Sequence, residues 1–233
     1  MTTIELLGLD GDDTLWHSES LFAVTNERIA DLLSHHVDAA TLESRLLDTE
    51  RRNLKLFGYG AKAFTLSTIE TAIEITNGAV TTAEIQAIID LGKALLAHPV
   101  ELLDGVDDAI AQLGDKRLVL ITKGDLFHQE AKVAGSGLGD HFESVEIVSE
   151  KDEAAYRRVL HSLGVAPERF LMVGNSLRSD VAPAVAIGGH GVHVPYPHVW
   201  ELDSEPDDAL PDDRWWQLDS LRGLPGLLEG LEA

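Results

Sequence analysis

A chain of 233 residues with 44% hydrophobic content can bury a full core and is not disordered as a whole. Forty Asp and Glu against 18 Lys and Arg give a net charge of -22, which opposes nonspecific binding to nucleic acid or anionic lipid. The absence of cysteine excludes disulfides, thiolate catalysis and cysteine metal sites. No N-terminal charged region leads into an apolar signal core, and no apolar run approaches the ~18 residues of a membrane span. The expectation is a soluble, cytoplasmic protein.

The apolar run 4–9 ends in Asp10-Gly11-Asp12-Asp13-Thr14-Leu15-Trp16. Such a run, closed by turn residues, predicts a buried strand with acidic side chains at its carboxyl end. Downstream, Ser18 is placed to cap a helix carrying Leu21, Phe22, Ile29, Leu32 and Leu33, and Thr41 one carrying Leu42, Leu46 and Leu47. Further helices are predicted over 63–76 and, after the Asn77-Gly78 break, over 82–97, where Thr81 and Glu84 have capping-box spacing. No strand pattern interrupts 17–98, so this stretch reads as an all-α insertion between core segments 1–16 and 99–233.

Beyond the Pro99 to Gly105 linker the pattern alternates. Helices are predicted over 106–113, 125–134, 152–163 and 181–187, and strands over 117–121, 142–148, 170–173 and 191–194. Alternation of this kind predicts an α/β fold, a Rossmann-like parallel sheet with helices on both faces and right-handed crossovers. The acidic, proline-bearing stretch 201–213 reads as a solvated loop, and 215–231 as a tail that packs back on the core.

Four groups of chemistry-bearing residues fall at the ends of predicted strands, where open α/β sheets bind ligands. They are Asp10 with Asp12, Thr122-Lys123-Gly124, Lys151, and Gly174-Asn175-Ser176 with Asp180. Three aspartates within four positions are electrostatically costly, since two unit charges about 4 Å apart cost roughly 4 kcal/mol at an effective dielectric of 20. The clustering points to a metal. The histidines have no metal-like spacing, and His17, His190, His193 and His198 read as packing or surface residues. Arg51, Arg52, Asn53, Lys55, Tyr59 and Lys62 form a basic and polar patch around Gly58-Tyr59-Gly60, either a face that attracts a phosphate or a solvated helix surface.

In that order, the four groups resemble the motifs of the haloacid dehalogenase-like (HAD) hydrolase superfamily, most closely its Mg-dependent phosphatases. The helical insertion matches the place of the family's C1-type cap, and the layout is similar to the branch containing phosphoglycolate and nucleoside-monophosphate phosphatases. The resemblance implies a Mg²⁺-dependent phosphatase acting on a small phosphorylated metabolite through an aspartyl-phosphate. Asp10 would be nucleophile and metal ligand, and Asp12 the general acid and base, with its backbone carbonyl on the metal. Thr122, Lys123, Gly124 and Lys151 would hold the phosphoryl group, with Asp180 and Asn175 completing the metal shell. Lys123 stands where many relatives have Asn, and Asn175 where many have a second aspartate. Thr14 would steady the turn, and Asp13 has no assigned chemistry.

The same superfamily includes 2-haloacid dehalogenases and phosphosugar mutases. A halide leaving group needs no general acid, so Asp12 favours ester cleavage. Outside these enzymes stand a non-catalytic phosphate-binding protein and a receiver-like signalling domain. The latter is shorter, lacks a helical insertion and carries its aspartate on a later strand.

Overall fold

The computed structural model describes residues 3–203, 210 and 213–232; positions 204–209, 211 and 212 of the acidic loop lie outside the described residues. They group into two compact units, one of 1–19, 100–123 and 129–233, the other of 20–99 with 124–128.

The first unit is built on six parallel strands: β1 (Leu6–Leu9), β2 (Arg117–Lys123), β3 (Ser144–Val148), β4 (Phe170–Gly174), β5 (His190–His193) and β6 (Trp215–Gln217). Their order is β3-β2-β1-β4-β5-β6, which puts β1 between β2 and β4. Alternate side chains of each central strand supply two separate cores, as the two-residue period of a strand requires. Leu7, Leu9, Leu118, Leu120, Leu171 and Val173 pack with Val106, Ile110, Val133, Leu224 and Leu228 on one face. Leu6, Val119, Ile121, Phe170 and Met172 pack with Tyr156, Val159, Leu160, Ala184 and Ile187 on the other. A fully buried Leu or Phe contributes roughly 1.5–3 kcal/mol, so both layers are needed. Gly8 lies between them, where a Cβ would meet the Met172 sulfur and the Phe170 ring at 2.7 Å.

The second unit is helical: α1 (Glu19–Leu33), α2 (Ala39–Phe57), α3 (Ala61–Ile75) and α4 (Thr82–Leu96). Its core holds Ile29, Leu33, Leu42, Leu46, Phe64, Ile88 and Leu95. Phe22 meets Phe64 edge to face at 5.3 Å between ring centroids. The capping box of Thr81 and Glu84 forms as its spacing predicts. Two other caps differ. Asp38, not Thr41, caps α2, its Oδ1 accepting from the Thr41 backbone at 3.0 Å. At the start of α1 the Asp13 carboxylate accepts from the Ser18 and Glu19 amides at 2.8 and 3.0 Å, a longer reach than a local cap pattern reveals.

Along the rest of the first unit come α5 (Val106–Gln112), α6 (Leu126–Ser136), α7 (Glu153–Leu163), α8 (Ala182–Ala186) and α9 (Leu224–Glu232). Boundaries shift from expectation by a few residues. The larger correction is β6, a three-residue edge strand paired with β5 in a region predicted only as a returning tail. The tail does pack on the core through Leu221, Leu224 and Leu228. Trp16 belongs to that core and is 1% exposed, whereas Trp215 and Trp216 are half-buried at the sheet edge. No helix of the described residues is long and apolar enough to cross a membrane.

Candidate active site

The carboxyl ends of β1 to β4 carry the acidic and basic groups picked out along the sequence. Asp10 follows β1 directly, its amide continuing the ladder to the Val173 carbonyl at 2.9 Å. Lys151 lies past β3, and Asp180 in the π-helical turn Leu177–Val181 past β4. These three side chains converge. The buried Lys151 ammonium donates to Asp10 Oδ1 and, at 2.6 Å, to Asp180 Oδ1. Asp10, Lys151 and Asp180 are 5, 4 and 1% exposed, so they exchange almost no contacts with solvent.

Both carboxylates are oriented by further donors. Thr14 Oγ1 donates to Asp10 Oδ2 at 3.2 Å and accepts from the Asn175 amide at 3.0 Å, tying the turn after β1 to that after β4. The Ser176 amide donates to Asp180 Oδ2 at 3.0 Å, and the Asn175 carbonyl contacts His193 Nε2 at 3.0 Å.

Burial pushes the Asp10 carboxyl up to about 7, against the pull of the Lys151 ammonium and with the neighbouring Asp180 adding to the rise. Burial opposes the charge on Lys151, but the two carboxylates raise it above the ordinary lysine value, so it stays cationic. With both carboxylates ionised, two of them facing one ammonium leave a surplus negative charge in a nearly dry pocket.

Asp12 lies beside this trio with its own partners. Lys132 Nζ donates to its Oδ1 and Oδ2 at 2.7 and 2.9 Å, Trp16 Nε1 to Oδ1 at 2.6 Å, and Gln129 Nε2 to Oδ2 at 3.0 Å. Burial works to raise the Asp12 carboxyl, but the Lys132 ammonium and these hydrogen bonds hold it below the usual range. Gln129 also donates to Thr122 Oγ1 at 3.1 Å and to the Lys123 carbonyl at 2.8 Å.

Lys123 has partners of its own. Its ammonium donates to Ser179 Oγ at 2.8 Å and Asp203 Oδ1 at 2.9 Å. Tyr156 donates to the Ser179 carbonyl at 3.0 Å. Gly124 follows with φ 143°, and its segment groups with the helical unit.

In the helical unit the basic patch is largely paired internally. Arg51 bonds Asp48, Arg52 bonds Glu74 and Asn53 bonds Glu70, while Lys62 bonds Asp125 at 2.8 Å. Lys55 is exposed and Tyr59 partly buried between Gly58 and Gly60.

Gln129, Lys132, Ser179 and Asp203 escaped the sequence reading. Gln129 and Lys132 stand three apart on α6, hence on one face, and that spacing behind Thr122 is the signal that could have found them. Ser179 and Asp203 had no such local signature.

A parallel sheet with carboxylates and a lysine gathered at its strand ends is the ligand-binding arrangement of an open α/β fold. Residues 4–188 match the family model for haloacid dehalogenase-like hydrolases, and the chain belongs to that family. A haloacid dehalogenase-like family hydrolase from Xanthomonas campestris is 46% identical, superposes with a TM-score of 0.88, and is matched over 98% of this chain and 92% of its own. An L-2-haloacid dehalogenase from Xanthobacter autotrophicus shares the fold at 20% identity, TM-score 0.67, over 98% of this chain and all of its own. A phosphoserine phosphatase from Thermus thermophilus is 35% identical over 102 residues, 42% of this chain. The match spans 39% of that relative's length.

Proposed function

We propose that this hydrolase is a Mg²⁺-dependent phosphatase that cleaves a small-metabolite phosphate monoester through an aspartyl-phosphate on Asp10. The observation that carries this reading is the meeting of Asp10 and Asp180 on the single Lys151 ammonium. The surplus negative charge there would repel a phosphate dianion unless more positive charge accompanied it.

The donor set fits magnesium, which prefers hard oxygen ligands. Asp10, Asp180, the Asp12 backbone carbonyl and the Asn175 amide oxygen would hold it. When bound, the ion supplies charge that offsets the repulsion between nucleophile and phosphoryl oxygens.

Lys151 positions Asp10 and adds a second positive charge, and Thr122 offers its hydroxyl to a phosphoryl oxygen. An Asp10 oxygen bonds to phosphorus as the ester P–O bond breaks, and Asp12 protonates the departing alkoxide. Water then attacks the phosphorus of the aspartyl-phosphate, Asp12 takes its proton, and inorganic phosphate leaves with Asp10 regenerated. Because Lys132 keeps Asp12 ionised, the arriving phosphate must first draw that ammonium toward itself for Asp12 to carry a proton. Lys123, already paired with Asp203, is left out of substrate binding in this reading. The segment 17–98 serves as the cap that selects the substrate.

The likeness to a protein named phosphoserine phosphatase makes phosphoserine a first ester to try, beside sugar phosphates, nucleoside monophosphates and phosphoglycolate. Phosphate release that needs magnesium and vanishes in Asp10→Asn is the expected result. Magnesium-dependent turnover surviving in that variant would sink the mechanism.

One observation favours carbon–halogen cleavage instead. Asp12, which halide departure does not require, is fully engaged by Lys132, Gln129 and Trp16. Halide release from 2-chloropropionate, with no phosphate released from any ester, would select that reading.

A further inference from the structure

Among the described residues, apart from the strand-end site, one group of side chains able to ligate a metal is brought together by the helical unit. His35 and His36 follow the end of α1, and Glu84 lies in the first turn of α4. The Nε2 atoms of both histidines lie 3.0 Å from the same oxygen, Oε1 of Glu84. One ligand atom from each residue falls within 4.8 Å of the other two.

The group is held from behind. Oε2 of Glu84 accepts from the Thr81 amide at 2.6 Å and the Thr81 hydroxyl at 2.7 Å, which leaves Oε1 facing the imidazoles. The Glu84 side chain is 10% exposed, so its orientation is set by the capping box rather than by solvent. The histidine backbone is fixed as well, since the His36 amide donates to the Leu33 carbonyl at 2.9 Å. The two rings lie 4.0 Å apart between centroids and present their nitrogens to one point.

We propose that His35, His36 and Glu84 form a binding site for a divalent transition metal, Zn²⁺ being the best fit, separate from the strand-end carboxylates. Imidazole nitrogen with carboxylate oxygen is a donor set that suits zinc, copper or nickel and not magnesium. Ligands about 2.0–2.1 Å from a tetrahedral zinc lie roughly 3.3 Å from one another. The observed nitrogen–oxygen separations of 3.0 Å need only small movements to reach that arrangement. The hydrogen-bonded far oxygen of Glu84 is the outer-shell support that metal-ligating carboxylates carry. His35 is 63% exposed at its side chain, which gives the ion an entry path and room for water at a fourth position.

Calorimetric titration of the full-length protein with ZnCl₂ tests the proposal, comparing wild type, His35→Asn, the double variant His35→Asn/His36→Asn, and Glu84→Gln. Zinc held by the strand-end carboxylates contributes equally to all four and subtracts out. One additional equivalent is expected in the wild type, weakened at least about tenfold in His35→Asn and Glu84→Gln, and absent from the double variant. His35→Asn changes an exposed side chain and Glu84→Gln retains an oxygen for the Thr81 cap, so folding, checked by circular dichroism, should survive. Replacing zinc by Co²⁺ should give visible absorption bands that the double variant lacks. Identical isotherms in wild type and double variant, or no zinc uptake by the wild type, would overturn it.

Discussion

A Cβ added to Gly174 would lie 2.1 Å from Oδ2 of Asp180. That oxygen accepts the Ser176 amide, and the opposite one receives Lys151. Gly174 does not lie among the positive-φ glycines, and what it supplies is space for a carboxylate. We expect Gly174→Ala to displace Asp180, lowering kcat/KM on the order of 10²-fold, as ångström-scale misplacement at a reacting centre does. Magnesium affinity measured by calorimetry should fall in parallel. Wild-type values for both would show that the carboxylate is not needed where it stands.

Lys132 sets the charge state of Asp12. Its ammonium holds that carboxyl below the usual range, so removing it should raise the Asp12 pKa. In Lys132→Met the proton-donating form of Asp12 then persists to higher pH. The alkaline limb of the kcat profile should move upward, and a profile superimposing on the wild type would reject the coupling.

Asp13 behaves oppositely. Burial pushes its carboxyl from 3.8 up to about 7, with hydrogen bonds from the Ser18 and Glu19 amides pulling it back. A folded-state value above the unfolded one means that ionisation costs stability, so the folded form should weaken as pH rises from about 4 to 7. In Asp13→Asn the amide oxygen can accept from the same backbone donors, and Asn tolerates the observed φ of 61°. Melting curves from pH 4 to 8 should fall less steeply in the variant than in wild type, the remaining loss coming from Asp10, which burial also pushes up to about 7, with turnover retained. A parallel pH dependence in both proteins would count against this assignment.

Thr81 closes the capping box at the start of α4. Thr81→Ala should cost about 1 kcal/mol of stability, readable by urea denaturation. A change of midpoint too small to resolve would mean that the cap is replaced by solvent without loss.

Much of the fold was legible in local pattern. The two-residue period of the strands and the helical spacing between them lead to a parallel sheet covered on both faces, and the structure has one. β6 was not legible because three residues at a sheet edge acquire their conformation from the neighbouring β5. The Asp38 cap was missed because both Asp38 and Thr41 suit that role, and only backbone geometry chooses between them.

By itself the sequence determined the α/β architecture and the order in which Asp10, Asp12, Thr122, Lys151 and Asp180 reach strand ends, because those depend on periodicity and turn chemistry. The tertiary structure decided which charges meet. Lys151 joins Asp10 to Asp180, Lys132 takes Asp12, Lys123 turns to Asp203, and His35 and His36 find Glu84. Each pairing brings together residues far apart in the chain, and the physical reason is that a side chain's reach is set by how the elements pack.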